Sequence, residues 1–365
     1  MLPHEPLTLA AGFVVDQVIG DPPTWPHPVR WLGRLITWLE PRLRRWLPER
    51  LGGVVLLAAV VTAAGAAVAG VLLVSGWIHV ALRYVVEVVL IAWGLAGRSL
   101  AVAAEEVAAA WDRADWAEAR RRVSAIVGRD TDQLPPHDIA RAAIESVAEN
   151  TTDAVVAPLC YAALFGPVGL WVYKAVNTLD SMVGYRTERY RRFGWASARA
   201  DDALNWVPAR LTWLLLSAAA WAAADGRAAF RLGWRDGRKH PSPNAAWAEA
   251  TMAGALGIQL GGPSTYRGVV SSKPLLGEGH GPLDAATIRR AIHLMQLAAW
   301  MALGLALLLA WGRGEIIGGG IFKRDQAPAA GGRVPPPAEH RPATAAPLLP
   351  ADAPRQQPLG GARPS

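Results

Sequence analysis

The sequence predicts an all-α polytopic membrane protein with about four to six transmembrane or re-entrant helices, plus amphipathic cytoplasmic helices. Three observations support this fold class. Hydrophobic residues make up 52% of the chain and charged residues only 18%. The uncharged run from Gly53 to Ser75 is long enough to cross a bilayer. The chain also contains 17 Trp, several of them flanking apolar runs, and Trp favours the membrane–water interface.

The N-terminal segment, residues 7–19, is apolar but too short to predict a span by itself. Asp16 interrupts it, and no basic region precedes it, so it does not resemble a signal peptide. A proline-rich stretch follows, in which Asp16, Asp21, His27 and Arg30 are the polar residues. We interpret them as a polar lining on rigid backbone; an ordinary interfacial loop is the alternative that their spacing leaves open.

Residues 53–75 and 77–95 predict a helical hairpin. Arg83 and Glu87 are four residues apart, which favours a neutralising pair on one helix over two groups that face a pocket. Arginines at 42–50 and after Arg98 predict that both ends of this hairpin lie in the cytoplasm.

Residues 98–150 predict amphipathic helices. The turn Gly128-Arg129-Asp130-Thr131 would present Arg129 to an anion, or is simply a capped turn. Glu145, Glu149 and Asp153 then follow at intervals of four, with Asn150 beside them. Three carboxylates on one helical stripe repel each other unless a cation or a basic partner is near.

The apolar stretch 155–172 is interrupted by Pro158, Gly166, Pro167 and Gly169. Such breaks favour a re-entrant or discontinuous helix that lines a polar cavity. A full crossing would place the acidic stripe and the residues after 172 on opposite faces of the membrane. Because a shared site needs them together, we predict that the segment dips and returns.

The run Tyr173–Tyr185 is the centre of the predicted site. Asn177 and Asp180 lie three residues apart, on one helical face, and Lys174 precedes them. Polar groups at the edge of an apolar run are costly and suggest function, although a helix end among lipid headgroups is the alternative. A further acid and amide cluster follows at Asp201, Asp202 and Asn205. Together the clusters indicate a pocket for a divalent cation and a phosphate.

The remaining segments complete the predicted organisation. Residues 206–224 are a further candidate span, and residues 291–311 are a good one. The Gly-rich stretch 252–263 permits close approach of a helix or a bulky ligand. Residues 1–325 are therefore predicted to form the membrane-embedded domain, and the Pro/Ala/Gly-rich residues 326–365 a disordered tail.

Composition also argues against several classes of function. The net charge of +7 has no aromatic-interleaved basic stripe or nucleic-acid motif with it, so no nucleic-acid partner is expected. The single cysteine, Cys160, allows no intrachain disulfide. The eight histidines show no zinc-ligand spacing.

The motifs together resemble those of the adenosylcobinamide-phosphate synthase family of cobalamin biosynthesis, over roughly residues 10–315. The matching stretches are Gly20-Asp21-Pro22 with His27-Pro28-Val29-Arg30; Val127-Gly128-Arg129-Asp130-Thr131; Glu149-Asn150 with Asp153-Ala154-Val155-Val156-Ala157-Pro158; Tyr173 with Asn177-Thr178-Leu179-Asp180-Ser181-Met182-Val183-Gly184-Tyr185; Phe193-Gly194 with Asp201-Asp202; Pro208-Ala209-Arg210; and His240-Pro241-Ser242-Pro243-Asn244-Ala245 with Gly261-Gly262-Pro263.

The resemblance implies a multi-pass enzyme of the inner cell membrane. It would be an ATP-dependent acid–amine ligase that joins aminopropanol, or its O-phosphate, to a propionate carboxylate of adenosylcobyric acid. The implied cofactors are ATP and Mg²⁺. The implied partners are the corrinoid, aminopropanol or its phosphate, and the lipid bilayer. The resemblance is also compatible with association with later cobalamin-assembly enzymes.

On this basis we assign expected roles to residues of the matching motifs. The expected catalytic residues are Glu149 as base, with Asp153, Asp180 and Lys174. The expected Mg²⁺ ligands are Asp153, Asp180, Asp201 and Asp202. The expected substrate-binding residues are His27, Arg30, Arg129, Asn150, Tyr173, Asn177, Arg186, His240 and Asn244; of these, Arg129 and Arg186, with Lys174, would hold phosphates.

Two other classes of function fit part of the pattern. A Mg²⁺-dependent intramembrane prenyl-type transferase also gathers Asn and Asp near the bilayer, but no Asn-Asp-x-x-Asp run is present. A non-enzymatic membrane sensor or transport component would use intramembrane acids as an ion path. Paired broken helices in two related halves, common in transporters, are not seen.

Overall fold

The structure is a computed structural model that describes residues 4–21, 27–185, 187–266 and 268–325. The helices are α1 (His4–Ile19), α2 (Pro28–Trp46), α3 (Glu49–Ile78), α4 (Val80–Gly94), α5 (Gly97–Asp112), α6 (Trp116–Ser124), α7 (Pro136–Thr151), a π turn (Thr152–Val156), α8 (Ala157–Val183), α9 (Trp195–Leu204), α10 (Trp206–Ala223), α11 (Gly226–Asp236), α12 (Ala245–Leu256) and α13 (Ala285–Asp325). Strands β1 (Leu260–Tyr266) and β2 (Val269–Leu276) form an antiparallel hairpin between α12 and α13. The predicted all-α membrane fold is confirmed, with this hairpin as an addition.

The chain divides into two units, Met1–Gly320 and Ile321–Ser365, and all elements except the end of α13 belong to the first. The predicted disordered tail, 326–365, lies outside the described residues.

Four stretches of the described chain are long and apolar enough to cross a membrane: Glu49–Ile78, Val80–Asp112, Pro136–Val183 and Ala285–Arg313. The candidate span at 206–224 forms α10, which is not one of them. The 30 residues of α3 extend about 45 Å, more than a hydrocarbon core of about 30 Å. At the α3–α4 turn, Trp77 is 89% exposed, as expected for a side chain in contact with lipid or its interface.

The stretch Pro136–Val183 is a hairpin rather than one straight helix. Gly166 has φ 67° and ψ −165°, a conformation that breaks α8 into two limbs. A straight helix would hold residues 153 and 177 about 36 Å apart. Instead Asn177 Nδ2 lies 3.2 Å from Asp153 Oδ2, and the rings of Tyr161 and Tyr173 stack at 5.0 Å. Both limbs therefore have their open ends on one side, as predicted for a re-entrant segment.

The tip of this hairpin marks what we call the distal end of the membrane core. There, Arg313 of α13 pairs with Glu5 of α1 at 2.5 Å and donates to the Leu164 carbonyl at 2.9 Å. Arg83 and Glu87 line the same small cavity and pair at 3.1 Å between Nε and Oε1, so the predicted i, i+4 pair is present.

Two hydrophobic cores share α13. Helices α1–α4, α8 and the α13 residues 299–310 form the membrane core, while α5–α7, α10–α12, the β-hairpin and the α13 residues 285–298 form the second core. Within the second core the Gly-rich stretch packs helices closely, because a Cβ on Gly254 of α12 would come within 2.6 Å of the Ala228 carbonyl of α11. The π turn between α7 and α8 lies where the cores meet.

The reversal at Gly166 is open to a direct test. Gly166→Ala should lower the thermal unfolding midpoint in detergent, because that backbone region is nearly restricted to glycine and costs other residues about 1–3 kcal/mol. No neighbouring atom would meet the new Cβ within 4 Å, so the effect is purely conformational. Gly304→Ala in α13, which also has open space, is the control. Equal midpoints for the two variants would contradict the reversal.

Candidate active site

A polar cavity of about 200 Å³ opens at the base of the α8 hairpin. Its walls come from the end of α7 and the π turn, the end of α8, helix α9, and the segment that leads into α12. The lining residues are Glu149, Thr152, Asp153, Asp180, Gly184, Ala198, Asp201, Asp202, Asn205, His240, Ser242, Asn244 and Ala245. Seven of these are residues that the sequence motifs single out as candidate site residues, and they come from four stretches far apart in the chain.

The π turn sets the position of Asp153. A widened turn leaves backbone groups outside the regular ladder, and here the Ala154 carbonyl accepts a hydrogen bond from Ala96 N at the α4–α5 junction, at 3.1 Å. The hydroxyl of Thr152 bonds that of Thr212 in α10, at 3.1 Å. The turn is therefore anchored on both sides, and Asp153 faces the returning limb of α8.

Asn177 joins two of the carboxylates. Its Nδ2 donates to Asp153 Oδ2 at 3.2 Å and to Asp201 Oδ1 at 3.3 Å. Asn205 Nδ2 donates to the other oxygen of Asp201 at 3.0 Å, and the Tyr173 hydroxyl bonds Asn205 Oδ1 at 3.0 Å. These neutral donors hold Asp153 and Asp201 in fixed positions without neutralising their charge.

The cavity is strongly acidic. Asp180 lies within electrostatic reach of Asp201, Asp202 and Glu149. Burial raises the pKa of Asp201 to about 6; Asp202 and Glu149 add to the rise, and hydrogen bonds from Asn205 and Asn177 oppose it. Such a group of carboxylates attracts a cation or protons.

The carboxylates of the cavity fit a magnesium ion whose coordination shell is completed by substrate oxygens. Within the described residues no group of three or more His, Cys, Asp or Glu is already arranged to hold a metal. Mg²⁺ is usually held by one or two carboxylates together with substrate phosphates and water, so a preformed cage is not required. Asp153, Asp180, Asp201 and Asp202 all line or border the space that such a complex would occupy.

Lys174 connects the cavity to the N-terminal motif. It lies within electrostatic reach of Asp153 on one side and of Asp21 and Asp16 on the other. Asp21 in turn contacts His27 Nε2 at 3.2 Å and accepts a hydrogen bond from the Ser99 hydroxyl at 3.2 Å. Asp16 and Asp21 of the N-terminal motif therefore lie near the site, with Lys174 between them and Asp153.

His27 also caps α2, since its Nδ1 accepts the Val29 N–H at 3.2 Å. Arg30 lies in the first turn of that helix. Asp16 is buried in α1, and its Oδ1 has no hydrogen-bond partner among the described atoms.

Other predicted residues lie away from the cavity. Arg129 is buried and pairs with Glu145, whose second oxygen accepts the Gly261 N–H at 2.7 Å. The basic partner that the acidic stripe required is thus Arg129, and Glu145 does not line the cavity. Asn150 donates to the Ser146 carbonyl at 2.9 Å rather than to a cavity wall. Arg186 lies outside the described residues.

The wall opposite α8 contains His240 and Asn244. Asn244 Nδ2 donates to the Asp202 carbonyl at 2.8 Å, and its Oδ1 accepts from Arg210 Nη1 at 2.9 Å. His240 Nδ1 accepts the Ser242 N–H at 3.0 Å. These bonds fix the loop before α12 against α9 and α10.

Sequence reasoning missed a buried pair behind Glu149. Glu249 is fully buried in α12, and Lys273 of β2 lies 3.5 Å from its Oε1. Burial, together with Glu145 and Glu149, raises the pKa of Glu249 above its usual range. One feature of the sequence indicates Lys273 as a candidate functional residue. The chain has only four lysines, at 174, 239, 273 and 323, and arginine is its common basic residue.

The fold and the cavity define a class: a polytopic membrane protein with a buried acid and amide site at the base of a re-entrant hairpin. The chain belongs to the CobD/Cbib protein family, whose model matches residues 9–295. The resemblance found in the motifs is thereby confirmed.

Two relatives illustrate the similarity. A cobalamin biosynthesis protein CbiB of Salmonella typhimurium is 50% identical over 309 residues, which cover 83% of this chain and 96% of the relative. A cobalamin biosynthesis protein CobD of Klebsiella pneumoniae is 49% identical over 304 residues, which cover 82% and 95%. No solved structure matches the chain.

The acidity of the cavity predicts a pH-dependent gain in stability for Asp201→Asn. The folded pKa of about 6 exceeds the ordinary value of about 3.9, so the stability that the proton confers is complete below about pH 4 and is lost as pH rises through 6. Asparagine has no proton to lose. Its gain in unfolding midpoint over the native chain should therefore be larger at pH 8 than at pH 4.5. Asp132→Asn, at an exposed residue, is the control; a gain that does not change with pH would argue against a raised pKa.

Proposed function

We propose that this protein acts in cobalamin biosynthesis as the amide-forming enzyme of the corrinoid side chain. It joins the amine of aminopropanol, or of its O-phosphate, to a propionate carboxylate of adenosylcobyric acid, with ATP as the source of energy. The observation that carries the proposal is the acid and amide cavity, because seven of the residues that line it are candidate site residues of the motifs that carry the family resemblance. Relatives named as cobalamin biosynthesis proteins support the pathway.

The chemistry needs an activated carboxylate. A carboxylate oxygen attacks the γ-phosphorus of ATP, ADP leaves, and an acyl phosphate forms. The amine nitrogen then attacks the acyl carbon, inorganic phosphate leaves, and the nitrogen gives up a proton. Both steps put negative charge in one small volume, so cations and fixed donors there lower the barrier.

Mg²⁺, when bound, would offset the charge of the transferring phosphoryl group. Asp153, Asp180, Asp201 and Asp202 are the residues that would hold it, with substrate oxygens completing its shell. Asn177 and Asn205 keep Asp153 and Asp201 oriented, and Lys174 provides a protein cation beside Asp153.

Glu149 is the proposed base for the amine proton. It is the one glutamate on the cavity wall, and it also lies within electrostatic reach of Lys273 and Glu249. A proton that Glu149 takes from the amine would therefore enter a cluster of neighbouring ionisable side chains, because Glu149 is not an isolated acid.

We place the protein in the inner membrane of the cell, with the cavity open to the cytoplasm. The end of the membrane core opposite the hairpin tip is rich in arginine. Arg189 beyond α8 and Arg44 of α2 both pair with Glu40, at 3.0 and 3.1 Å. Positive charge favours the cytoplasmic side, where ATP is available.

The proposal is tested in membranes that contain the protein, supplied with adenosylcobyric acid, aminopropanol phosphate or aminopropanol, ATP and Mg²⁺. The expected product is the corrinoid with one additional amide-linked amine donor, detected by mass, and its formation should require ATP. No product with either amine, from well-inserted protein, would overturn the proposal. A prenyl-type transferase or a sensor would give that negative result.

Asp180→Asn should reduce turnover by roughly 100-fold or more, because it removes a charge that would hold the cation while preserving size. Product is measured by mass, and the amount of inserted protein by membrane fractionation. Asp132→Asn makes the same chemical change at an exposed loop and should keep full activity. Wild-type turnover by the Asp180 variant would remove it from the metal-binding role.

Gly184→Ala tests the same carboxylate without changing it. A Cβ on Gly184 would overlap the Asp180 carboxylate and come within 2.6 Å of the Asp180 carbonyl oxygen, so Asp180 must then move. We expect activity to fall by about tenfold or more while the protein still inserts, because small displacements of reacting groups are costly. Gly70→Ala in α3, where no atom lies within 4 Å of the new Cβ, is the matched control. Unchanged activity would show that the position of Asp180 is not critical.

A further inference from the structure

Beside the acidic cavity, tryptophan and arginine side chains alternate along one surface. Arg210 stacks on Trp206 at 4.5 Å and on Trp247 at 4.8 Å, measured from guanidinium carbon to ring centroid. Arg238 lies 5.9 Å from Trp247 and 4.4 Å from Trp234. We call these five residues the Trp–Arg strip.

The strip has a rigid base and exposed ends. Trp247 is 2% exposed and packs against Trp213, with ring centroids 5.5 Å apart. Trp206 and Trp234 are 56% and 52% exposed. The two indoles at the ends of the strip are thus exposed, while its centre is held by the core, an arrangement suited to stacking with a flat ligand.

Among the described residues, no acidic side chain pairs with the two guanidinium groups of the strip. Within the described chain Arg210 and Arg238 make no ion pair, whereas the nearby Arg231, Arg235 and Lys239 all do. Burial and the charge of Arg238 lower the pKa of Arg210, so the two cations repel each other. A carboxylate or several carbonyl oxygens between them would relieve that repulsion.

The strip connects to the cavity at two points. Arg210 donates to Asn244 Oδ1 at 2.9 Å, and Asn244 is part of the cavity wall. Arg238 is two residues from His240, which lines the same cavity. A ligand on the strip can therefore extend a side chain past Asn244 to the carboxylates.

The size of the cavity indicates that a corrinoid would bind partly outside it. Pockets that enclose drug-sized ligands hold about 300–1,000 Å³, and this cavity holds about 200 Å³. A corrin macrocycle is larger than a drug-sized ligand, so the reacting propionate is the part of the corrinoid that can enter. The ring must lie on a neighbouring surface.

We propose that the Trp–Arg strip is the docking face for the corrin macrocycle. The inference rests on the proposed function and deepens it. The conjugated ring stacks on Trp206 and Trp234, and Arg210 and Arg238 donate to the peripheral amide carbonyls and to the reacting propionate. Asn244 then marks the point where the propionate passes from the strip into the cavity.

Binding and turnover are measured separately on the full chain in lipid nanodiscs. Cobyric acid binding is followed by equilibrium dialysis with corrin absorbance, which needs no catalysis. Trp206→Ala and Trp234→Ala should raise the Kd by about tenfold. They should also raise the KM for the corrinoid, while the KM for the amine donor and kcat at saturating corrinoid stay within about twofold. Trp221→Ala is the control, because this residue is 62% exposed at the other end of α10.

The arginines are tested with a pair of ligands. Arg210→Gln and Arg238→Gln should weaken cobyric acid more than cobinamide, since cobinamide lacks the free carboxylate. Equal losses for both ligands would overturn the assignment of the guanidiniums to the propionate.

The outcomes separate the two proposals. Native protein that binds cobyric acid through the strip but makes no product would overturn the proposed function and leave the docking face standing. Normal turnover with unchanged corrinoid Kd and KM in the strip variants would overturn the docking face alone. Equal effects of Trp206→Ala and Trp221→Ala would identify these indoles as a membrane-interface belt, and so also overturn it.

Discussion

The site depends on one reversal of the backbone. At Gly166 the chain turns within an apolar segment, and the returning limb of α8 brings Asn177 to Asp153. Without the turn these residues would lie some 36 Å apart. The turn is also the reason that apolar residues on both limbs pack together in the membrane core, with a tyrosine pair between them. Packing of the hairpin and assembly of the site are therefore the same structural event.

The closed hairpin brings several carboxylates together, and the side chains around them must offset the electrostatic cost of burying these charges. Carboxylates from four elements face one cavity, and burial disfavours the charged form of Asp201. The chain offsets this cost with amide donors, which orient the acids but leave their charge available. Two nearby arginines are directed elsewhere, because Arg129 is paired to Glu145 and Arg210 donates to Asn244. Arg199 does pair with a cavity carboxylate, with its Nη1 3.5 Å from Asp202 Oδ2. The arrangement retains a negative cavity that a cation and a phosphate can enter together.

Much of this was predictable from sequence because membranes make polar residues informative. A lysine, an asparagine and an aspartate at 174, 177 and 180 are expensive beside an apolar run, so their presence pointed to the site. The glycine and proline residues at 166 and 167 likewise predicted the reversal. Their local chemistry determines their conformation, and no distant partner is needed to interpret them.

The features that could not be predicted from the sequence are those that depend on residues distant in the chain. Nothing in the turn around Arg129 indicates that Glu145 will neutralise it, because that pairing follows from the packing of α7. The strands around Lys273 are short and rich in Gly and Ser, which hides the period-two pattern of a hairpin. The Trp–Arg strip joins residues 206, 210, 234, 238 and 247 from three helices and a loop, a proximity that no local spacing encodes.

The ion pair between Glu5 and Arg313 has a meaning for topology. Two residues in contact stand on the same side of a bilayer, so the chain that joins them must traverse it an even number of times. A hairpin that returns to its own side contributes nothing to that number. Helices α3, α4 and α13 belong to three of the candidate spans, so an even number requires one further crossing, and α1, the helix that carries Glu5, would supply it. The contact thus predicts a crossing for α1 that the length of this helix alone did not.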